Sequence, residues 1–164
     1  MASQYENQFS YKITNVGSIL KKIGKRPRQK KIIMCHGNFD VVHPGHVRHL
    51  SYAKSKADYL VVSITADRFI KKGHYRPYIP ENIRAQNLAA FQMVDFVVID
   101  KNEKPLKNLL TLKPDYLFKG SDYMNKKIVG KKYVKSYGGQ VKILKNLKNI
   151  STTKILLKSK QSRW

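Results

Sequence analysis

Apolar positions come in short runs that alternate with longer stretches of helical period. KKIIMCHG, ending at Gly37, is a β-branched and apolar run stopped by glycine, the signature of a buried strand. HPGHVRHLSYAKSKA follows, with Val47, Leu50 and Ala53 or Lys54 at helical spacing and Pro44 suited to a first helical turn. DYLVVSIT predicts a second strand, and PENIRAQNLAAFQM a helix opened by proline. VDFVVID is a third strand, KPLKNLLTL a helix that stops at Pro114, and DYLFKG a fourth strand. IVGKKYVKSYGG reads as a helix with a glycine stop, QVKILK as a fifth strand, and STTKILLKSK as a last helix with a Ser/Thr cap. Strands apolar throughout, alternating with helices, predict an α/β fold: a Rossmann-like five-stranded parallel sheet with helices on both faces. Residues 1–30 form a polar N-terminal segment with one short helix, VGSILKK, packed on a single domain at 31–160. Ligands of such sheets bind beyond the carboxyl ends of the strands, near the point where strand order reverses.

Composition agrees with one domain and narrows its chemistry. The 164 residues are 41% hydrophobic, enough for a real core. The polar start MASQYENQFSYK resembles no secretory signal, and no apolar run approaches membrane-spanning length. A lone cysteine fits a reducing cytoplasm. The net charge of +23 attracts polyanions, among them nucleotides, sugar phosphates and nucleic acid. Lysine is spread along the whole chain, however, and the densest cluster, KKIGKRPRQKK at 21–31, has no interleaved aromatics to stack bases. A basic nucleic-acid-binding module is therefore an alternative of another class rather than the expectation.

The chemistry concentrates in CHGNFDVVHPGH, residues 35–46, which holds three of five histidines and the only cysteine. Cys35, His36, His43 and His46 are zinc ligands by type, but adjacent strand residues 35 and 36 point to opposite faces. The same geometry disfavours a Cys–His nucleophile pair and leaves Cys35 a small buried hydrophobe. His36 and His49 read as packing or surface histidines. His43 and His46, three apart on a first helical turn, share a face at the positive end of the helix dipole. Gly37 permits a tight turn, and Gly45 a close approach of ligand to backbone. Two imidazoles, free amides and a helix N-terminus suit an anion with several oxygens, such as a triphosphate. Neither a Walker loop nor a strand-borne G-x-G-x-x-G is present.

GNFDVVHPGH resembles the G-x-F-D-x-x-H-x-G-H signature of the cytidylyltransferase-like nucleotidyltransferases, and ISTTKI at 150–155 resembles their second nucleotide-binding motif. Within that superfamily KGHYRPYIPENIR, VDFVV, PDYLFKGSDY and GGQVKIL are similar, in order and spacing, to the heptose 1-phosphate adenylyltransferases. Glycerol-phosphate cytidylyltransferases are next nearest, but Asn146 stands where they usually carry an arginine.

The resemblance implies transfer of AMP or CMP from ATP or CTP to a phosphorylated sugar, with pyrophosphate leaving; a cytidylyltransferase acting on a small phosphorylated alcohol or polyol is the alternative. A phosphate acceptor is already a nucleophile, so the chemistry asks for positioning and charge neutralisation. His43 and His46 would hold the β- and γ-phosphates, with Lys72 neutralising the α-phosphate. Asn38, Phe39 and Gly45 would offer backbone to the nucleotide, and Ser151, Thr152 and Thr153 would close over the phosphates. Lys119, Gly120 and Asp122 would lie by base and ribose. Arg76 would clamp the acceptor, and Arg84 would touch a phosphate or stand behind it, unless it only pairs with Glu81. Asp40 is either a cap for the helix entered at Pro44 or a carboxylate facing acceptor or metal. The implied cofactor is Mg2+, without assigned ligands. A homodimer is expected, and a sugar kinase supplied by fusion or separately.

Overall fold

A computed structural model describes residues 8–73, 75–120, 123–144 and 152–161. Five strands form one parallel sheet: β1 (Ile32–Gly37), β2 (Tyr59–Thr65), β3 (Phe96–Asp100), β4 (Tyr116–Gly120) and β5 (Gln140–Leu144), in the order β3-β2-β1-β4-β5. Six helices accompany them: α1 (Val16–Ile23), α2 (Pro44–Lys54), α3 (Glu81–Ala89), α4 (Leu106–Leu112), α5 (Lys131–Ser136) and α6 (Thr152–Gln161). The expected five-stranded, doubly covered α/β sheet is therefore present. The chain runs outward from β1 to β3, then returns to place β4 on the other side of β1, so the switch point lies between β1 and β4.

The two-residue strand period sorts the core into two layers. Ile33, Cys35, Leu60, Val62 and Phe118 pack with Leu50 of α2 and Ala85 and Leu88 of α3. Ile32, Met34, Val61, Phe96, Val98 and Leu117 pack on the other face with Ile19 of α1, Leu109 and Leu112 of α4 and Val134 of α5. Asn15 caps α1 by accepting the Ser18 amide at 3.0 Å. The segment before that helix runs beside β3, where the Thr14 amide donates to Val97 O at 2.9 Å.

Two elements differ from the sequence pattern. β5 is an edge strand whose Gln140, Lys142 and Ile143 are exposed, because it has a partner strand on one side only. The fifth helix is confined to Lys131–Ser136. Gly130 before it sits at φ 90, and a Cβ there would collide with Leu109 Cδ2, so this glycine sets the start of the helix against α4.

Candidate active site

A cavity of about 210 Å3 opens at the carboxyl end of the sheet. It is lined by residues from the β1–α2 turn, the first turns of α2, the loop after β2 and the end of β4. His43, His46, Lys72, Asn38, Phe39, Gly45, Gly120, Thr152, Asp40 and Arg76 all reach it. Asp122 and Ser151 lie outside the described residues.

The turn after β1 is tightly built. Phe39 adopts φ 49, a left-handed conformation costly for an aromatic residue. Its buried ring lies 3.2 Å from where a Cβ on Gly37 would stand, and its centroid is 5.0 Å from that of His46. Glycine at 37 therefore makes room for the turn. His43 is the N-cap of α2 with extended backbone, and its carbonyl accepts the His46 amide at 2.8 Å. The two imidazoles stack with centroids 3.8 Å apart and planes inclined by 21°. Both Nδ1 atoms are buried without a partner among the described residues, which leaves Nε2 of each ring as the nitrogen a ligand can reach. Burial lowers the pKa of His43. Burial lowers that of His46 further, to about 4, helped by electrostatic repulsion of an added proton by His43, His49 and Lys72. At neutral pH the stack is a pair of uncharged N–H donors.

Gly45 has a different job from the one its sequence context suggests. A Cβ there would lie 2.9 Å from both Cε1 and Nδ1 of His43, so the space over Gly45 is filled by that ring rather than held open for a ligand. Glycine is what allows the stack.

Asp40 does not cap α2. Its side chain is 1% exposed; Oδ2 accepts from Arg76 Nε, and Oδ1 accepts the amides of Tyr78 at 2.8 Å and Ile79 at 2.9 Å. With both oxygens engaged, the carboxylate fastens the loop before α3 and aims Arg76. Among the described residues no acceptor occupies the terminal nitrogens of Arg76, so they remain for a ligand.

Arg84 departs further from its expected phosphate contact. It is 0% exposed and does not line the cavity. Nε donates to Ile79 O at 2.9 Å, Nη1 to Asn38 O, and Nη2 to Thr65 O at 2.9 Å and to the Asp67 carboxylate. Its ionic partner is thus Asp67, not Glu81, which accepts the Asp67 amide instead. One buried guanidinium ties together the β1–α2 turn, the end of β2 and the loop before α3. Lys119 is likewise buried at 4% exposure, donates to His36 O at 3.1 Å, and lies 4.7 Å over the Tyr123 ring. It is absent from the cavity lining, as is the exposed Thr153. Thr152 Oγ1 donates to Val41 O at 3.0 Å, joining the start of α6 to the turn before α2.

The cavity also contains residues that sequence reasoning set aside. His36 and His49 both line it, so four of the five histidines share one site. His36 Nδ1 is 3.0 Å from Ser63 Oγ, and burial together with the Lys119 charge pushes its pKa well below 6.5. His49 stands three residues beyond His46, a helical repeat legible in HPGHVRH. Thr65, Phe118 and Tyr123 carry no such local signal. Cys35 is fully buried and its thiol is pushed up to about 12 by burial, which rules out a resting thiolate. Among the described residues Asp40 is the only carboxylate in the lining and is already bonded, so those residues offer anion-binding donors rather than a free carboxylate or thiolate nucleophile.

That donor set agrees with the comparisons to known proteins. Bifunctional protein HldE of Geobacter metallireducens is 42% identical over 148 residues, covering 88% of this chain and 30% of that protein. Bifunctional protein HldE of Campylobacter fetus is 43% identical over 133 residues, covering 80% and 28%. The chain therefore spans under a third of the length of these relatives. Among solved structures, the lipopolysaccharide core biosynthesis protein of Thermoplasma volcanium shares 25% identity at a TM-score of 0.60, covering 74% of this chain and 99% of that one. The pantoate-beta-alanine ligase of Francisella tularensis, 19% identical at a TM-score of 0.57, shows the fold alone. Residues 34–158, from the middle of β1 through α6, match the family as a unit, and the chain belongs to the cytidylyltransferase-like family.

Proposed function

We propose that the protein transfers a nucleoside monophosphate, AMP, from the triphosphate to a phosphorylated sugar of the heptose 1-phosphate kind, releasing pyrophosphate. The observation that carries this reading is one cavity at the β1/β4 switch point that gathers two neutral imidazole donors, a lysine, a half-engaged arginine and a helix N-terminus. The resemblance of KGHYRPYIPENIR, VDFVV, PDYLFKGSDY and GGQVKIL to the heptose 1-phosphate adenylyltransferases supports adenylyl transfer and the sugar acceptor.

In the proposed mechanism the acceptor phosphate oxygen attacks the α-phosphorus in line with departing pyrophosphate. His43 and His46 donate through Nε2 to the β- and γ-phosphates and stabilise the charge that grows on the leaving group. Asn38 and Phe39 add backbone amides. Lys72 neutralises the α-phosphate, and Arg76, held through Nε by Asp40, turns its two terminal nitrogens to the acceptor phosphate. Gly120 borders the base and ribose. Thr152 and the start of α6, with Ser151 just before it, cover the phosphates. Arg84 acts on this site through Asn38 and touches no substrate.

Mg2+ is proposed to arrive with the triphosphate as its counter-ion. The described residues contain no group of three histidine, cysteine or carboxylate side chains placed to hold a metal, and Asp40 is already spent on Arg76 and two amides. A cytoplasmic homodimer is the proposed state; among the described residues no helix is long and apolar enough to cross a membrane.

The test is pyrophosphate release across four nucleoside triphosphates, each with heptose 1-phosphate, other sugar 1-phosphates and glycerol 3-phosphate. ATP with the heptose is expected to be fastest. CTP with glycerol phosphate as the best pair would replace the substrate assignment, and no release from any pair, with salt-sensitive duplex DNA binding instead, would overturn the enzyme reading.

A further inference from the structure

The reaction proposed above leaves His49 without a task, although it lines the same cavity as His43 and His46. Positions 43, 46 and 49 repeat every three residues from the N-cap of α2 inward, and all three rings line the cavity. His43 and His46 are poor places for added charge. Each has its Nδ1 buried and without an acceptor among the described residues, so protonation would create an N–H with nothing to bond. The rings are also stacked at 3.8 Å, where two imidazolium charges repel strongly. The stack is suited to donate two neutral N–H groups, and it leaves a triphosphate's charge only partly answered.

Among the described residues, the other charged side chains lining the cavity are Lys72 and Arg76, from the loop after β2, and Asp40, whose carboxylate is taken up by Arg76 and two amides. His36 on β1 faces Ser63 and the buried Lys119 ammonium, which opposes a second positive charge there. On α2 itself, His49 is the remaining titratable ring that faces His46. We propose that His49 is the third imidazole of the phosphate cradle and takes up a proton from solvent when the triphosphate enters. The inference rests on the nucleotide reading above and adds to it a binding residue and a proton. An imidazole brought beside a polyanion gains affinity for its proton, and linkage then makes nucleotide affinity rise as pH falls toward 6.

Calorimetry of MgATP binding to the full chain at pH 7, in buffers of different ionisation enthalpy, counts the protons taken up. The wild type is expected to show heats that change with the buffer. His49→Gln is expected to bind about tenfold more weakly with buffer-independent heats, and His49→Lys to recover affinity without proton uptake. Ring 15N shifts of the five histidines on adding MgATP give the same answer without a substitution, with His49 gaining the proton. Binding with buffer-independent heats in the wild type, or unchanged uptake in His49→Gln, or a proton found on another ring, overturns the proposal. No heat with any triphosphate overturns the nucleotide reading itself, and the role of His49 falls with it.

Discussion

Arg84→Lys separates two roles that a buried arginine beside an active site can have. The guanidinium donates to the carbonyls of Ile79, Asn38 and Thr65 and pairs with Asp67, all at zero exposure of its own side chain. A lysine ammonium kept near Asp67 can reach one of those carbonyls at most, since it lacks the planar fork. Two partly buried carbonyls then lose their donor, at about 1–3 kcal/mol each, so the loss is on the order of 2–6 kcal/mol. The Asp67 carboxylate, 37% exposed, can be rehydrated, so breaking its pair adds little to that figure. For a chain of this length about 2–4 °C of Tm is lost per kcal/mol, which predicts a fall of roughly 4–24 °C by calorimetry or circular dichroism. The same substitution releases Asn38, whose turn carries the amides that face the phosphates, so kcat is expected to fall at least about tenfold even at temperatures where the variant is folded. If Arg84 instead bound the acceptor phosphate directly, Arg84→Lys would raise the acceptor KM and leave Tm alone. A Tm within about 2 °C of wild type would refute the positioning role.

Three further outcomes follow from the same geometry. His43→Ala and His46→Ala each remove one neutral donor from the leaving pyrophosphate and should lower kcat about 100- to 1000-fold, with the far-ultraviolet spectrum unchanged; pyrophosphate release at wild-type rate in both would remove the stack from the mechanism. Asp40→Asn weakens the hold on Arg76, so the acceptor KM should rise about tenfold while the nucleotide Kd by calorimetry stays put; a change confined to the nucleotide would contradict the assignment. The depressed pKa values of His46, at about 4, and of His36 mean that the unfolded chain binds more protons than the folded one below pH 6.5. Stability is fully present above pH 6.5 and is lost as pH falls from 6.5 toward 4, by up to about 1.4 kcal/mol per pH unit for each histidine. A urea midpoint that stays flat from pH 7 to 5 would show that these rings are not held neutral.

The parallel strands were legible because burial on both faces makes them apolar throughout, and β1 to β4 fall where the runs placed them. The His43/His46 pair was legible because its spacing is local: three residues on one helical turn. What the sequence hid is set by contacts between distant segments. Arg84 reaches Asn38 across 46 positions, and Asp40 reaches Arg76 across 36, so neither the buried arginine nor the occupied carboxylate shows in a local pattern. Gly45 misled for a related reason: glycine reports that something comes close, but not whether it is a ligand or the ring of His43. Lys119 sits at the end of a strand where a ligand contact is natural, yet its ammonium is drawn to a carbonyl of the neighbouring strand.

These corrections change how the site's charge is understood. A chain with a net charge of +23 has no shortage of cations to attract a triphosphate, and long-range attraction is screened beyond about 8 Å at physiological salt. Among the described residues lining the cavity the fixed cations are few, Lys72 and Arg76, and one of these is oriented by a buried carboxylate. In the proposed reaction the histidine stack contributes donors without charge, so it would bind the β- and γ-phosphates and still let pyrophosphate go, whereas two more fixed cations would hold the product as firmly as the transition state. Precision then has to come from the frame, since neutral donors discriminate by geometry. That is the physical reason for placing a fully bonded arginine behind the turn: Arg84 holds Asn38, Thr65 and Ile79 in one arrangement, and the weak, neutral grip in front of it becomes selective because those three segments cannot drift apart.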